Sequence, residues 1–407
     1  MVKFDNIIID MKQIYFDNAA TTPVDLAVKK AMLPYFDKDF ANPSSFHSAG
    51  KRAKDAIEQS RLKISRILNC KTFEIIFTMG GTESDNLAVL GACRAHKERG
   101  NHIISTFIEH HAVLEPISYL ARKEGFKVDF LSPSKGGIVS AEKVAEKLNE
   151  KTVLVSVMYA NNEIGTILPI KEIGEAIRKF KIKLNRKAGE PPFFHTDACQ
   201  AAGYLELDVG KLGVDLMTLN GSKIYGPKGT GLLYLKNGVR LEPIIFGGGQ
   251  ERALRPGTEN VPSIVGLSAA LELANKKRVA ESKRLCALRD YLIEKVKKTI
   301  PAVSLNGHPT ERLPNNINLS FKGIEGESLV LYLDAKGIYA STGSACSSIS
   351  HKSSYVLKAI GVPQELAHGS LRITLGRQTT KSDIDYFLKV LPPIVKKLRD
   401  ISAIKIK

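Results

Sequence analysis

From residue 73 onward, short apolar runs alternate with longer stretches in which apolar side chains recur at helical spacing. The runs at 74–77, 102–106, 127–131, 152–158, 193–196, 212–218 and 231–235 predict strands. The stretches at 83–96, 113–124, 141–148 and 170–180 predict the helices between them. Strands this short and this apolar, separated by helices, imply a mainly parallel sheet covered on both faces. Ahead of the run lies a predicted helix over 48–67, carried by Ala56, Ile57, Leu62 and Ile64. Thr21 or Thr22 is the expected cap of an earlier helix, with Pro23 in its first turn.

The pattern changes after Pro262. A stretch rich in Leu, Ala, Lys and Glu predicts a long helix over 264–299. It is followed by predicted strands at 316–321 and 370–374, a helix over 327–333 and a last helix over about 381–398. The expectation is two α/β domains: residues 17–265 form the large one, and 1–16 with 266–407 the small one. No internal repeat is present.

Composition narrows the class. A chain of 407 residues with 43% hydrophobic content can bury two cores. It has neither an apolar run of about 20 residues nor a charged-then-apolar leader, so a cytoplasmic location is expected and a membrane role is not. Five cysteines, at 70, 93, 199, 286 and 346, form no CxxC pair. A local zinc or iron–sulfur site is therefore not expected, and reduced thiols are. Net charge is +17, with basic residues dispersed but crowded at 179–187, 276–284 and 396–407. No nucleic-acid-binding module accompanies them, so direct nucleic-acid binding is not the expected role, although the charge leaves a polyanion contact open.

The chemistry centres on Lys223, in Asn220-Gly221-Ser222-Lys223-Ile224-Tyr225-Gly226-Pro227. The segment sits between two apolar runs. A primary amine at a strand end, fixed by turn residues, can condense with an aldehyde cofactor, and arginine cannot replace it. Upstream lie Asp197 and the glycine-rich turn Met79-Gly80-Gly81-Thr82; downstream lies Cys346 in a run of small residues. Together they suggest pyridoxal phosphate (PLP) with a sulfur acceptor.

Further segments bring a family into view: Asp17 to Pro23, Asn42-Pro43-Ser44-Ser45, Gly81-Thr82-Glu83-Ser84-Asp85-Asn86, Glu109-His110-His111-Ala112-Val113, Asn161-Asn162-Glu163-Ile164-Gly165, Arg255-Pro256-Gly257-Thr258 and Ser344-Ala345-Cys346. With these the chain resembles cysteine desulfurases of the NifS/IscS type over nearly its whole length. The resemblance implies a fold-type I PLP-dependent transferase, with a large, mostly parallel seven-stranded sheet domain and a smaller α/β domain. It implies Lys223 as the amine that holds PLP and shuttles protons, and Asp197 against the pyridine nitrogen. His110 would stack on the ring, with Gln200 and Asn161 at its phenolic oxygen. Gly81 and Thr82 would hold the phosphate, joined by Thr258 from the neighbouring subunit of a homodimer. Many relatives carry serine and histidine where this chain has Asn220 and Ser222; those two are expected to bind phosphate here, without histidine's charge. Arg372, Asn42 and Asn161 would hold the substrate, L-cysteine, and Cys346 would receive its sulfur as a persulfide.

By the same resemblance, the sulfur passes to acceptor proteins for iron–sulfur assembly or tRNA thiolation. The stretch 347–355 is similar to the longer cysteine loop of enzymes that hand sulfur directly to partners. The segment 181–192 is longer than in housekeeping relatives. A PLP β-lyase or selenocysteine lyase would share Lys223 and Asp197 without needing Cys346 as carrier. A non-enzymatic sulfur relay would leave the PLP set without a purpose.

Overall fold

The computed structural model describes residues 12–342 and 354–402. Its strands are β1 (Ile14–Tyr15), β2 (Ile75–Thr78), β3 (His102–Thr106), β4 (Lys127–Leu131), β5 (Thr152–Ser156), β6 (Phe193–Asp197), β7 (Leu216–Asn220), β8 (Gly231–Leu235), β9 (Val303–Leu305), β10 (Asn316–Phe321), β11 (Ile338–Tyr339) and β12 (Ser370–Thr374). β2 to β8 form a seven-stranded sheet in the order β2-β8-β7-β6-β5-β3-β4. All run parallel except β8, which pairs antiparallel with both β2 and β7.

Alternate residues of each strand feed opposite cores, as strand geometry requires. Ile75, Phe77, Ile104, Val155, Phe194 and Met217 pack on one face. Ile76, Ile103, Leu154, Phe193, Leu216 and Leu233 pack on the other. Both faces are covered, which explains the uniformly apolar runs.

The helix Ser48–Leu68 buries Ala53, Ile57, Ile64 and Leu68, and it stops at Asn69 in a left-handed conformation. The predicted cap near Thr21 or Thr22 is displaced: Asp25 Oδ1 accepts from Ala27 N–H, and the helix is Leu26–Met32. Thr22 is engaged elsewhere, its Oγ1 donating to Ser222 O and accepting from Tyr225 N–H. The run expected as one strand over 212–218 is split. Val209–Leu212 is a short helix closed by Gly213 at φ 69°, and β7 begins only at Leu216.

A smaller unit holds the antiparallel sheet β12-β10-β9 and the pair β1-β11. Its core packs Phe16 edge-on against Phe387 at 5.8 Å, with Phe321, Leu319 and Ile373 around them. One unbroken helix, Val261–Thr299, serves both units. Ile264, Leu267, Leu271 and Ala274 join the core beneath the large sheet, whereas Leu285, Leu292 and Val296 join the small one. Val356 and Leu357 then return the chain to the large core before β12. Among the described residues no helix is long and apolar enough to cross a membrane.

Candidate active site

The C-terminal ends of the parallel strands converge on a cavity of about 240 Å³. In open α/β sheets this is the edge where ligands bind. The turn after β2 supplies Gly81 and Thr82, and the helix they open supplies Asp85. The loops after β3 and β5 bring His110, Met158 and Asn162. β6 ends in Asp197 with Cys199 and Gln200 following; β7 leads through Asn220 to Lys223; the small unit adds Arg372.

Lys223 closes a single 3₁₀ turn, Gly221–Lys223. Asn220 Oδ1 caps that turn by accepting from Ser222 N–H at 3.0 Å and Ser222 Oγ at 3.1 Å. The segment Asp17–Asp25 is stitched to it: Thr22 N–H donates to Ser222 O at 2.8 Å, and Asp25 N–H to Tyr225 O at 3.0 Å. The Lys223 amine donates to Ala20 O at 2.5 Å. Asn220 and Ser222 therefore orient the lysine turn. The Asn220 amide nitrogen is left on the side of Gly81.

The Gly81 end of the cavity is a helix start. Gly80 sits at φ 147°, and Ser84 N–H makes the first in-helix bond, to Gly80 O at 3.1 Å, so the N–H groups of Gly81, Thr82 and Glu83 precede it. A Cβ added at Gly81 would lie 3.0 Å from Cys199 Sγ and 3.5 Å from Asn220 Nδ2. One added at Gly231, the first residue of β8, would come within 2.8 Å of the Gly80 backbone. Glycine at 231 thus lets the turn lie on the sheet.

Acids crowd beneath the cavity. Asp197 Oδ1 accepts from Cys199 N–H at 2.9 Å. Asp85 is buried beside it, and burial, then the Asp197 charge, pushes its carboxyl well above the usual range. His195, held between Ser156 at 2.8 Å and Thr218 at 3.1 Å, is pulled down to about 4 by burial, so it is neutral and does not compensate them. Burial also pushes Glu109 up to about 8, although its Oε1 accepts from Thr106 Oγ1 at 2.7 Å and Met158 N–H at 3.0 Å. His110 caps the helix His111–Glu124, with Nδ1 accepting from Ala112 N–H at 3.1 Å. Its ring proton is therefore on Nε2 while it is neutral. Burial lowers its pKa against the opposing pull of Asp197.

Arg372 is 4% exposed; its guanidinium donates to Asp17 Oδ1 at 2.8 Å and Asn162 O at 3.1 Å. Gln200 also lines the cavity, its amide donating to Ala19 O at 3.0 Å. Asn161 departs from expectation. Its Nδ2 donates to Ile108 O, and its Oδ1 accepts from both Glu163 and Ile164 N–H, each at 2.9 Å. Fully buried and committed to the loop, it does not line the cavity; its neighbour Asn162 does. The Asn-Asn dipeptide carried no signal of which residue turns inward, because that depends on the loop's backbone.

Asn42 and Thr258 also lie outside this cavity, both exposed. Asn42 Oδ1 accepts from Ser44 N–H at 2.9 Å. Thr258 follows a loop moored by Glu251, which takes Arg61 at 2.7 Å and Phe77 N–H at 2.8 Å. Cys346 lies outside the described residues. The residues on either side of its segment rest on the cavity's surroundings: Ser341 O accepts from Arg372 N–H at 2.6 Å, Ser354 Oγ donates to buried Glu163 at 2.5 Å, and Tyr355 Oη donates to Glu109 O at 2.6 Å.

Pyridoxal phosphate fits this set. Buried polar atoms of three lining residues (Asp85 Oδ1, Asn162 Oδ1 and Arg372 Nε) have no hydrogen-bond partner, and the space at Gly81 is one that a side chain would fill. Among the described residues no group of three or more His, Cys, Asp or Glu could hold a metal ion.

The comparisons agree with the geometry. The class-V aminotransferase family model matches residues 14–387. Cysteine desulfurase IscS of Methanosarcina thermophila is 50% identical over 400 residues, covering 98% of this chain and 96% of the relative. Among solved structures, a NifS-like protein superimposes with a TM-score of 0.87 at 36% identity, covering 95% of this chain and 100% of that one. SspA in complex with cysteine gives 0.76 at 34% identity, covering 89% and 99%. A seven-stranded sheet with the lysine turn at its C-terminal edge, matched over nearly the whole chain, places this protein in the class-V aminotransferase family of fold-type I PLP enzymes, close to the NifS/IscS cysteine desulfurases.

Proposed function

We propose that the protein is a PLP-dependent cysteine desulfurase that converts L-cysteine to L-alanine and moves the sulfur to Cys346 as a persulfide. The observation that carries this reading is the convergence of Lys223, Asp197 and Arg372 on one cavity. Its support includes 50% identity to a desulfurase and likeness to a structure described in complex with cysteine.

Lys223 would hold the cofactor's aldehyde, Asp197 its ring nitrogen, His110 its face, and Gln200 with Asn162 its phenolic oxygen. Gly81, Thr82 and the Asn220 amide would hold the phosphate, with Ser222 acting through Asn220. Bound there, PLP supplies the electron sink for the pair left at Cα. Asp197 keeps negative charge fixed at the ring nitrogen. The Lys223 amine, which donates to Ala20 O, carries the proton taken from Cα. Neutral His110 can donate from Nε2. Arg372 presents its guanidinium to the substrate carboxylate as a two-pronged donor, for which it must exchange Asp17.

The balance is cysteine plus enzyme thiol giving alanine plus enzyme persulfide. The Cβ–S bond breaks, Cβ is reduced and gains a proton, and the two sulfurs share the oxidation. The moorings at Ser341 and Ser354 support delivery of Cys346 to the cavity.

The enzyme works as a homodimer in this reading, with Thr258 completing the partner's site. Exposed Phe246 (84%) and Met79 (60%) lie on the loops nearby and supply apolar area for such a contact. Iron–sulfur assembly or tRNA thiolation proteins take the sulfur onward.

The test is alanine release from L-cysteine beside mass analysis of Cys346. A sulfur adduct of about 32 Da on Cys346, lost together with alanine release in Cys346→Ala, is expected. Unchanged product formation in that variant would replace the desulfurase with a lyase. Mixing inactive Lys223→Ala and Thr258→Ala subunits should restore activity if the site is shared.

A further inference from the structure

The opposite end of the large sheet carries a second cavity, of about 480 Å³, where β6 and β7 begin and β8 ends. It opens between the helix Ile170–Lys183, the loop that follows it and the short helix Val209–Leu212. The frame is close-packed: a Cβ at Gly174 would meet Leu212 O at 2.5 Å, so the long helix lies directly on the turn.

Seven lysines and arginines line the cavity against two carboxylates, Glu175 and Asp215. Two of the cations are already paired: Lys211 with Glu206 at 2.7 Å, and Lys236 with Asp215 at 2.9 Å. The other Asp215 oxygen accepts from Phe194 N–H at 3.1 Å, so both of its oxygens are already engaged. Among the described residues Lys171, Arg178, Lys181, Arg186 and Lys187 form no ion pair. The Arg186 guanidinium donates to the backbone oxygen of Glu150. Lys181 is the most telling. Its amine lies over the Phe193 ring at 5.6 Å, partly withdrawn from water, and this desolvation lowers its pKa. Asp215 and Glu190 pull the other way without forming an ion pair with it, so the desolvated amine is stabilised further by any anion that reaches it.

We propose that this cavity binds a small anion bearing two or more phosphate groups, held by Lys181, Arg178, Arg186 and Lys187. Charge selects the class: five cations outside any ion pair, facing the single unpaired carboxylate of Glu175, call for several negative charges close together. Shape selects the size. The volume is that of a small-molecule pocket rather than a stripe along the surface, and among the described residues no aromatic side chain lines it to stack a base. The cavity lies at the strand ends remote from Lys223, so it is a site separate from the chemistry.

The test uses the PLP-loaded enzyme and inorganic tripolyphosphate, titrated calorimetrically. Arg178→Gln/Lys187→Gln, which removes charge from the cavity rim, should bind at least about tenfold more weakly. Lys297→Gln/Lys298→Gln, at the end of the long helix, should change binding by less than about twofold, since screening removes distant charges. Tripolyphosphate should also protect Lys181 from amine-directed acylation, read by peptide mass analysis, and alanine release should be equal in all variants. Equal weakening in both double variants, or no protection of Lys181, would overturn the site. A ten-nucleotide RNA that binds more tightly than tripolyphosphate and is lost with the rim charges would overturn the small-ligand assignment.

Discussion

At the C-terminal ends of the parallel strands, Asp85, Glu109 and Asp197 are buried together, whereas around the cavity at the opposite ends five lysines and arginines stand without carboxylate partners. The first arrangement is deep and fixed. Thr106, Met158 and Cys199 each hold a carboxylate oxygen in place, and His195 stays neutral beside them. The second is open and rests on charge number. A fixed network orients individual atoms, as proton transfer needs; an open cluster of cations needs only to attract. The two ends should therefore answer to mutation in different currencies, geometry at one and charge at the other.

The largest effect expected is at Lys223. Lys223→Arg keeps the charge but not a transferable proton, and alanine release should fall by roughly 10³-fold or more, measured at saturating cysteine. Activity within tenfold of wild type would erase the distinction between geometry and charge. Next is Glu109. Its folded pKa, about 8, stands above the ordinary 4.5, so the protonated form is favoured by the fold. Wild-type stability should fall as pH rises from about 4.5 through 8. Glu109→Gln should match wild type near the lower limit and exceed it by roughly 2–4 kcal/mol above the upper one, in denaturant titrations. Equal pH profiles would mean the carboxyl is not desolvated.

The Asn161–Asn162 pair separates scaffold from site. Asn161→Ala strands buried backbone groups and should cost about 2–3 kcal/mol of stability. Asn162→Ala should leave the melting temperature nearly unchanged and weaken PLP retention in dialysis. The reverse pattern would exchange their roles. The smallest effect is at Arg372. Arg372→Lys loses the forked donor but keeps its charge, so KM for cysteine should rise about tenfold with a smaller change in kcat.

The strands of the large sheet were legible because both faces are covered, which leaves uninterrupted apolar runs at 75–77, 152–156 and 231–235. The short strands β1, β9 and β11 gave no such signal, since two or three residues cannot show a period. Lys223 and Asp197 could be named from their local motifs and Arg372 from the family resemblance, and all three meet in the cavity. What the motifs did not contain was direction. Asn161 faces the loop because backbone N–H groups of Glu163 and Ile164 point at it, and Asn42 lies outside because Ser44 turns its oxygen away. The local sequence offers Thr21 or Thr22 as a cap because the long-range partners of Thr22, Ser222 and Tyr225, lie some two hundred positions along the chain. The basic cavity was visible only as a crowd of charges over 179–187; its concavity comes from Gly174 lying against Leu212.

The helix Val261–Thr299 has a mechanical meaning. Thirty-nine residues of continuous helix make a rod of about 58 Å. Its first turns are embedded under the lysine-bearing sheet and its later turns under the sheet that carries Arg372. The span between Lys223 and Arg372 is thereby gauged by a single beam, not by a flexible joint. Lengthening that beam by one residue would rotate one unit against the other by about 100°, so insertions there should be far less tolerated than in the loops at either edge.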